Sequence, residues 1–256
     1  DAANEPSIAV NPKDPSRMVI GWRQFDNIQS NFRQAGFGYT TDGGQHWTVP
    51  GVIDPGIFRS DPVLASDANG RFYYNSLTLD NTYNCRVYRS TGDGAWDNGT
   101  PAIGGDKAWM TIDQTDGAGK GHIYSHWSGS YSDCGNYSDF TRSTDQGDSY
   151  EYCETFTPGF YWGTNSVGPD GTLYLSSNGG YVAWSANAQN ATESVQWDGQ
   201  SKVDFNPTGQ LWPAGNGPNP VGILGQNYIA TNHAPGPLFG QVYMVQSVSS
   251  DGVDDP

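Results

Sequence analysis

Polar side chains capable of acid–base chemistry or ligand binding precede several short apolar segments that are spread along the sequence. These side chains are those of Glu5, Asp61, Asp106 with Lys107, Asn165, and Gln226 with Asn227. Carboxylates can transfer protons, a lysine can neutralise an anion, and amides can bind hydroxyl groups. Because the residues recur at the same phase of a repeated pattern, we predict that they line one binding site. The alternative is that they hydrogen-bond neighbouring elements or buried water.

Further candidates occur among the cationic, aromatic and imidazole side chains. Arginine can grip a carboxylate with two hydrogen bonds, tryptophan can stack on the flat face of a sugar, and histidine can act as an acid or a base. The additional substrate-binding candidates are Arg23, Arg59, Trp109 and Trp162. The catalytic candidates are Asp61, His126 and His233. A surface arginine, a core tryptophan and a histidine that only hydrogen-bonds are the competing interpretations.

The segments that carry these residues belong to a repeated unit. Each copy has a short apolar strand, a turn rich in Asp, Asn, Gly or Pro, and a second strand ending in aromatic residues. The copies begin at residues 7–10, 62–65, 109–112, 165–167 and 228–230. A second hairpin follows each of the first four copies, so each repeat predicts a four-stranded sheet. A period of roughly 45–60 residues is typical of the blades of a β-propeller.

We therefore predict an all-β chain that forms a single propeller domain over residues 1–256. The predicted blades cover residues 4–50, 58–100, 105–155 and 162–200, with a partial fifth blade at 222–256. The fifth copy lacks its outer hairpin, and an open ring would leave apolar faces and strand edges exposed. We expect a complete ring of six or seven blades, in which the remainder has been removed or is supplied by a second chain.

A turn motif recurs in the second hairpins and is clearest at residues 40–47. Asp42 can accept backbone N–H bonds inside the turn, and Gly44 can adopt a positive φ without steric cost. Trp47 is predicted to pack under the hairpin as an apolar plug. Other copies contain Asp93 with Trp96, and Asp145 with Gly147 and Tyr150. The copy at residues 185–189 is predicted to have lost the motif.

The pattern Ser/Thr-x-Asp-x-Gly-x-x-Trp/Tyr resembles the Asp-box of bacterial neuraminidase (BNR) repeats. Residues 4–12, 105–110 and 225–230 are similar to secreted bacterial proteins described as sialidase-like. The resemblance implies a propeller whose Asp-box residues are structural and whose partner is a glycan. Sialidases bind the substrate carboxylate with three arginines, and residues 58–62 only loosely resemble the segment that supplies the first. Since no arginine follows Arg142, sialidase activity is not expected from this chain alone.

Composition narrows the range of partners. The formal net charge of −15 opposes binding to nucleic acid or to an anionic membrane surface, and no run of about 20 apolar residues could span a bilayer. Cys134 and Cys153 lie on either side of a predicted hairpin, so a disulfide between them is predicted, with Cys85 left free or paired outside the chain. A disulfide and the abrupt start at Asp1 fit a processed protein that is secreted, extracellular or on the cell surface.

No cofactor is predicted. The cysteines are scattered and His122 and His126 stand alone, so the sequence lacks the spacing of zinc ligands. Residues 251–255 resemble part of a calcium-binding loop but lack its regular alternation of ligands. Structural calcium is therefore left open without a clear motif.

Three functions compete at this stage. The first is a glycoside hydrolase or polysaccharide lyase, the second a carbohydrate- or protein-binding module, and the third a structural part of an extracellular assembly. Two carboxylates about 5–9 Å apart would favour hydrolysis. A cluster of Arg, His and Lys would favour a lyase, since it supplies a base and neutralises a uronate. Aromatic side chains without either arrangement would favour binding.

Overall fold

The computed structural model describes residues 2–128, 132–134, 138–155, 160, 162–204, 210–211, 226–246 and 248–249. Within these ranges the chain is all-β and contains no α-helix. Two short 3-10 turns, Asn178–Gly180 and Asn187–Gln189, are the only helical elements described. The chain forms two compact units, one of Asp1–Gln114 with Gly121–Phe156 and the other of Thr115–Lys120 with Thr157–Pro256.

The first unit contains three four-stranded antiparallel sheets, each built from strands that follow one another in the sequence. The first sheet consists of β1 (Ala2–Val10), β2 (Met18–Phe25), β3 (Gln34–Thr40) and β4 (Thr48–Ile53). The second consists of β5 (Ser60–Ser66), β6 (Phe72–Leu79), β7 (Tyr83–Ser90) and β8 (Thr100–Pro101). The third consists of β9 (Asp106–Ile112), β10 (Ile123–Ser128), β11 (Ser138–Ser143) and β12 (Glu154–Thr155).

The second unit repeats this topology once and adds two smaller pairings. Its four-stranded sheet consists of β13 (Asn165–Val167), β14 (Leu173–Ser177), β15 (Tyr181–Ser185) and β16 (Gly199–Lys202). A hairpin is formed by β18 (Asn227–Thr231) and β19 (Val242–Gln246). The short strands β17 (Gln210–Leu211) and β20 (Val248–Ser249) pair with each other.

The prediction of an all-β chain of four-stranded antiparallel sheets is confirmed. Each four-stranded sheet contains two successive hairpins and begins with the strand that opens a sequence repeat. The number of blades, the extent of the domain and the presence of a completing segment remain predictions.

The sheets of the first unit pack face to face, and β6 explains why its sequence lacks polar alternation. Tyr73 and Tyr74 point to opposite faces of the sheet, as successive residues of a strand do. Both are fully buried because each face is covered by another sheet. Tyr73 packs in one core with Ile123 of the third sheet. Tyr74 packs in another core with Phe37 of the first sheet. Gly21 is required there, since an added Cβ would lie 2.5 Å from the Tyr74 ring.

The turn at residues 40–47 is closed by its own side chains. The Thr40 hydroxyl bonds the Asp42 carboxylate at 2.7 Å and accepts the Gly44 N–H at 3.1 Å. Asp42 accepts the His46 N–H at 3.0 Å, and Gly44 has a φ of 87°. Hydrogen bonds from His46 and Thr40 hold the pKa of Asp42 well below its usual value. The local role expected of Asp42 and Gly44 therefore matches the geometry.

The turn after β11 is built in the same way. Ser143 bonds Asp145 at 2.8 Å and accepts the Gly147 N–H at 2.9 Å, while Asp145 accepts the Ser149 N–H at 2.9 Å. Partial burial by itself raises the pKa of Asp145. The hydrogen bonds from Ser149 and Ser143 outweigh that effect and leave the pKa below its ordinary value.

The fourth copy of the turn differs from the expectation that it had been lost. Ser185 bonds the Asn187 amide oxygen at 3.1 Å and accepts the Ala188 N–H at 3.1 Å. The same amide oxygen accepts the Gln196 N–H at 2.7 Å. An Asn at the third position thus replaces the Asp as acceptor, and a 3-10 turn takes the place of the glycine conformation.

The aromatic residues that end these turns are not equivalent. Trp96 meets Phe37 and Tyr74 edge to face, at 5.7 Å between ring centroids in both cases, and Tyr150 packs against the core that includes Tyr73. Trp47 was expected to be a buried plug, but it is 38% exposed and rests on its own turn at Gly44. The physical reason is that the described residues of the first unit supply no sheet on that side of the first sheet.

The structure contains the disulfide between Cys134 and Cys153, which closes a segment with a sequence separation of 19 around β11. Cys85 in β7 is free and buried in the core between the second and third sheets. Its sulfur lies against Gly104, where any Cβ would collide with it.

Replacing both Cys134 and Cys153 with serine is expected to lower the free energy of unfolding by about 3 kcal/mol, because a closed loop of this length restricts the unfolded chain. Urea denaturation of the variant and the wild type measures the difference. Dithiothreitol should lower the midpoint of the wild type and leave that of the variant unchanged. A reductant effect of equal size on both proteins would contradict the assignment.

Asp145→Ala is expected to destabilise the protein by about 1 kcal/mol at pH 7, because the Ser149 N–H loses its acceptor. Asp148→Ala is the matched control in the same turn. Its carboxylate is largely exposed and pairs only with Arg89, so a change within about 0.5 kcal/mol is expected. The lowered pKa of Asp145 means that its contribution is present above about pH 4, the ordinary Asp pKa, and is lost as the pH falls further. Denaturation at pH 7 and pH 3 tests both statements.

Candidate functional site

The first strand of each sheet in the first unit carries the same backbone irregularity. Register shifts interrupt β1 between Asn4 and Ser7, and β5 between Ser60 and Val63, while a third shift interrupts the β9–β10 pairing next to Asp106. At these bulges one non-glycine residue has a positive φ, namely Glu5 at 52°, Asp61 at 48° and Lys107 at 54°. Such conformations are uncommon for residues with a side chain, and bulges with them are enriched at functional sites.

Glu5 is the centre of an ion-pair network that joins two sheets. Arg23 of β2 places Nη2 3.0 Å from Glu5 Oε1 and donates from Nε to Asn4 at 2.8 Å. Lys107 of β9 places Nζ 3.5 Å from Glu5 Oε2. The Arg23 and Lys107 side chains are 17% and 12% exposed, so the charges are partly screened from water and their geometry is held firmly.

Asp61 and Asp106 form a second, acidic part of the same site. Asp61 is buried, accepts the Ser60 hydroxyl at 2.7 Å, and accepts the Lys107 backbone N–H at 3.1 Å. Burial is the main reason why the pKa of Asp106 is raised, and the charge of Asp61 and a hydrogen bond with that carboxyl raise it further. Burial and the neighbouring charge of Asp61 therefore favour the protonated form of the Asp106 carboxyl.

Trp109 contributes an aromatic surface to this cluster. Its ring lies beneath Lys107, with Nζ 5.4 Å from a ring centroid, a distance suited to a cation–π interaction. The Trp109 carbonyl accepts the Ser125 hydroxyl at 2.9 Å, which ties β9 to β10. In the register of the sheet, His126 is the partner of Trp109 and is buried.

Arg59 lies inside the protein and is held by the protein's own groups. Its Nη2 is 2.8 Å from Asp54 Oδ2, and its guanidinium lies 5.4 Å from the centroid of the Tyr88 ring. Tyr88 donates its hydroxyl to the same carboxylate oxygen of Asp54. Arg59 is only 3% exposed, so contact with a ligand would require rearrangement. Its predicted role in binding stays a prediction.

The structure divides the candidate residues of the second unit between two places. Asn227 donates its N–H to the Trp162 carbonyl at 3.3 Å and its amide to the Ser177 carbonyl. Trp162 also has a positive φ, 54°, like the bulge residues of the first unit. Asn165 begins β13, whereas His233 lies by Val167 at the other end of that strand, 2.8 Å from its carbonyl. His233 is therefore not grouped with Asn165. Gln226 immediately precedes β18 and is half-buried.

The first unit thus brings together a set that we call the bulge cluster, formed by Glu5, Arg23, Asp61, Asp106, Lys107 and Trp109. Asn4 and Ser60 also belong to its bonding network and were missed from the sequence. Asn4 and Ser60 each stand directly before a bulge residue. This shared position could have identified them, but it is visible only when the first and second repeats are aligned at Glu5 and Asp61.

Within the described residues, no three His, Cys, Asp or Glu side chains are arranged to hold a metal ion. Residues 251–255, with their partial likeness to a calcium loop, lie outside the described ranges. In the part of the chain that is described, no helix has the length and apolar character required to cross a membrane.

The chemistry available to the bulge cluster is recognition of hydroxyl groups and of a flat apolar face. Carboxylates and the lysine can hydrogen-bond sugar hydroxyls, and an indole beside them can contact the ring. A hydrogen bond with Asp61 is among the causes that raise the pKa of Asp106, so these two carboxyls are neighbours in the site.

Several solved structures of similar fold are sialidases, arabinofuranosidases or related glycan-acting enzymes. The chain is similar to a leech intramolecular trans-sialidase complexed with 2,7-anhydro-Neu5Ac, at 11% identity and a TM-score of 0.59, covering 95% of this chain and 55% of that one. It is similar to an intramolecular trans-sialidase from Ruminococcus gnavus in complex with oseltamivir carboxylate, at 12% identity and a TM-score of 0.58, covering 95% and 77%. A GH93 α-L-arabinofuranosidase of Fusarium graminearum with arabinobiose matches at 12% identity and a TM-score of 0.57, covering 95% and 74%.

These matches establish the fold of the chain as that of a β-propeller with four-stranded antiparallel blades. The chain spans about half of the length of the leech enzyme, at 55%, and of a Hadza microbial sialidase, at 51%. No protein-family model and no curated protein sequence matches it. The sialidase-like resemblance is thus supported at the level of the propeller fold shared with sialidases and GH93 enzymes.

Asp106→Asn is expected to raise the melting temperature at pH 7 to 8. The raised pKa of Asp106 means that its contribution to stability is complete below the ordinary Asp pKa of about 4 and is lost as the pH rises through the raised value. Asparagine stays neutral and can still donate to Asp61, so the gain over the wild type should vanish below pH 4. Thermal melts across this range measure it, with Asp116→Asn in an exposed turn as the control. A variant that is less stable than the wild type at every pH would refute the assignment.

Proposed function

We propose that this chain is a glycan-recognising part of a secreted propeller protein and that it holds a carbohydrate at the bulge cluster. The observation that carries the proposal is the threefold recurrence of a positive-φ bulge residue, at Glu5, Asp61 and Lys107. Each of these residues is costly for the backbone. Their joint presence in one ion-pair and hydrogen-bond network is readily explained if their side chains serve a common ligand.

The composition of the cluster suits a sugar. Protein sites for sugars combine charged or amide groups that bind several hydroxyls with an aromatic ring that covers an apolar face of the ligand. Lys107 and Trp109 are adjacent and half-buried, so they are fixed before a ligand arrives and little conformational entropy is lost on binding. The glycan-acting propellers with the same fold support this choice of ligand class.

The proposed function of the cluster is carbohydrate binding. Whether the same residues also catalyse a reaction is a separate question. We expect the closeness of Asp61 and Asp106 to disfavour hydrolysis by that pair, because a glycosidase holds its two carboxylates roughly 5–9 Å apart, and the sequence has no arginine after Arg142 to complete a sialidase triad. A lyase-like combination of base and cations would need His126 to reach the ligand, and His126 is 2% exposed. Secretion is part of the proposal because the disulfide suits an oxidising compartment.

Lys107→Ala and Trp109→Ala are each expected to weaken glycan binding about tenfold or more, because each removes a group that would contact the sugar. The measurement is binding of the purified chain to an array of mammalian, plant and bacterial glycans, followed by calorimetry on the best ligand. Trp47→Ala is the matched control, since Trp47 is exposed and lies outside the cluster. Wild-type affinity in both cluster variants would refute the location of the site. Failure of any glycan to bind would refute the proposal itself.

A second candidate function, a structural component of an extracellular assembly, is favoured by one observation. The β18–β19 hairpin presents a row of exposed apolar side chains on one face, which are those of Tyr228, Tyr243 and Val245. Apolar rows of this kind mark interaction surfaces. Native mass spectrometry of the purified material tests this alternative. A stably attached second polypeptide would support it, whereas a monomer of 27.7 kDa that binds glycan would leave recognition as the better account.

A further inference from the structure

We infer that the bulge cluster selects neutral sugars and rejects anionic ones, because each of its cations is already bound to a carboxylate of the protein. This inference rests on the proposed glycan site and names the class of ligand that it takes. It separates this site from one built for an acidic sugar, whose carboxylate must be met by unpaired cations.

The first step of the argument is the commitment of Arg23. The guanidinium donates from Nε to Asn4 at 2.8 Å and pairs through Nη2 with Glu5 at 3.0 Å. Nε and Nη2 form one edge of the guanidinium fork, the edge that would otherwise take a ligand carboxylate in a bidentate manner. Because the side chain is 17% exposed, it has little freedom to turn its other edge outwards.

Lys107 is paired with the same carboxylate, but at a longer distance and without a hydrogen bond to it. Its ammonium group lies 3.5 Å from Glu5 Oε2 and 5.4 Å from a centroid of the Trp109 ring. Glu5 therefore pairs with both neighbouring cations, one at each oxygen, and the second positive charge of the group is balanced by the neighbouring carboxyls of Asp61 and Asp106. An anionic ligand at Lys107 would compete with Glu5 for the ammonium group and would lie next to the negative charge of that carboxylate.

Arg59, which lies two residues before Asp61, and Arg33, which donates to Ser60, are not part of the bulge cluster. Arg59 is buried against Asp54 and Tyr88. Arg33 stands over the Phe58 ring, with its guanidinium 5.6 Å from the centroid, and donates to Ser60 at 3.4 Å.

The acidic part of the cluster completes the argument. Asp61 and Asp106 add negative charge at the place where a ligand would sit, and the lone pairs of their carboxyl oxygens can accept hydrogen bonds from sugar hydroxyls. A ligand carboxylate would meet like charge there. The net charge of −15 on the chain adds a long-range repulsion, which is strongest at low ionic strength.

The first test compares a neutral ligand with its own oxidised form. The best neutral glycan from the array is treated so that a primary hydroxyl becomes a carboxylate, which changes the charge and keeps the sugar skeleton. Calorimetry at low ionic strength should show binding of the oxidised form weakened at least about tenfold, as expected for a like-charge contact. Array ligands dominated by sialylated or uronic-acid glycans would overturn the inference while leaving the proposed glycan site intact. Absence of any bound glycan would overturn both.

The second test releases the cations. Glu5→Gln removes the carboxylate that is paired with both Arg23 and Lys107, so the ratio of affinities for the oxidised and the neutral ligand should rise about tenfold or more. Asp116→Asn makes the same change in net charge at an exposed turn, where Asp116 pairs only with Lys120, and should leave the ratio unchanged. Circular dichroism and a thermal melt establish that both variants are folded. A ratio for Glu5→Gln equal to that of Asp116→Asn would overturn the inference.

Discussion

Face-to-face packing of four-stranded sheets is the constraint on which the first unit depends. A sheet buried on both faces cannot alternate apolar and polar residues, so β6 uses consecutive aromatics, Phe72, Tyr73 and Tyr74, to fill a core on either side. The close approach of the sheets also requires Gly21, whose missing side chain makes room for Tyr74. The core residues are therefore dictated by neighbouring sheets and not by the strand that carries them.

That packing supports the strained backbone from which the site is built. A positive φ at Glu5, Asp61 or Lys107 costs free energy and persists only where the surroundings hold it in place. The surroundings are inter-sheet hydrogen bonds, such as those from the Leu64 N–H to the Ser7 hydroxyl and from the Asn75 amide to the Ala108 carbonyl. The packing of the sheets thus offsets the free-energy cost of the strained backbone in their first strands, and the strained residues carry the charged groups. The same cooperation explains why the ion pairs of Glu5 keep their geometry with much of their surface buried.

Much of the fold could be predicted from the sequence because its signals are local. Turns rich in Asp, Asn and Gly mark the hairpins. Asp42 and Asp145 each hydrogen-bond to residues within a few positions of themselves in the sequence. Part of what failed depends on neighbours distant in sequence. The exposure of Trp47 follows from the lack, among the described residues of the first unit, of a further sheet on that side of the first sheet. Asn187 was missed although its bond to Ser185 is local, because an amide oxygen can replace a carboxylate oxygen as acceptor. The positions of the site residues were predicted from the repeat, but the contact of Asp106 with Asp61 joins two sheets and leaves no local signal. His233 was included among the candidates although it follows β18, whereas Asn227 begins that strand, so chain order already places these two residues at opposite ends.

The burial of Cys85 bears on how the chain acquires its disulfide. Burial raises the pKa of this thiol, and only the thiolate exchanges with disulfides, so Cys85 in the folded protein is inert. Its seat against Gly104 leaves no room for a mixed disulfide with a redox catalyst or with glutathione. Cys85 can therefore form a wrong disulfide only while the core between the second and third sheets is open. Correct pairing then depends on the order of events, since early closure of that core removes the competing thiol before oxidation joins Cys134 to Cys153.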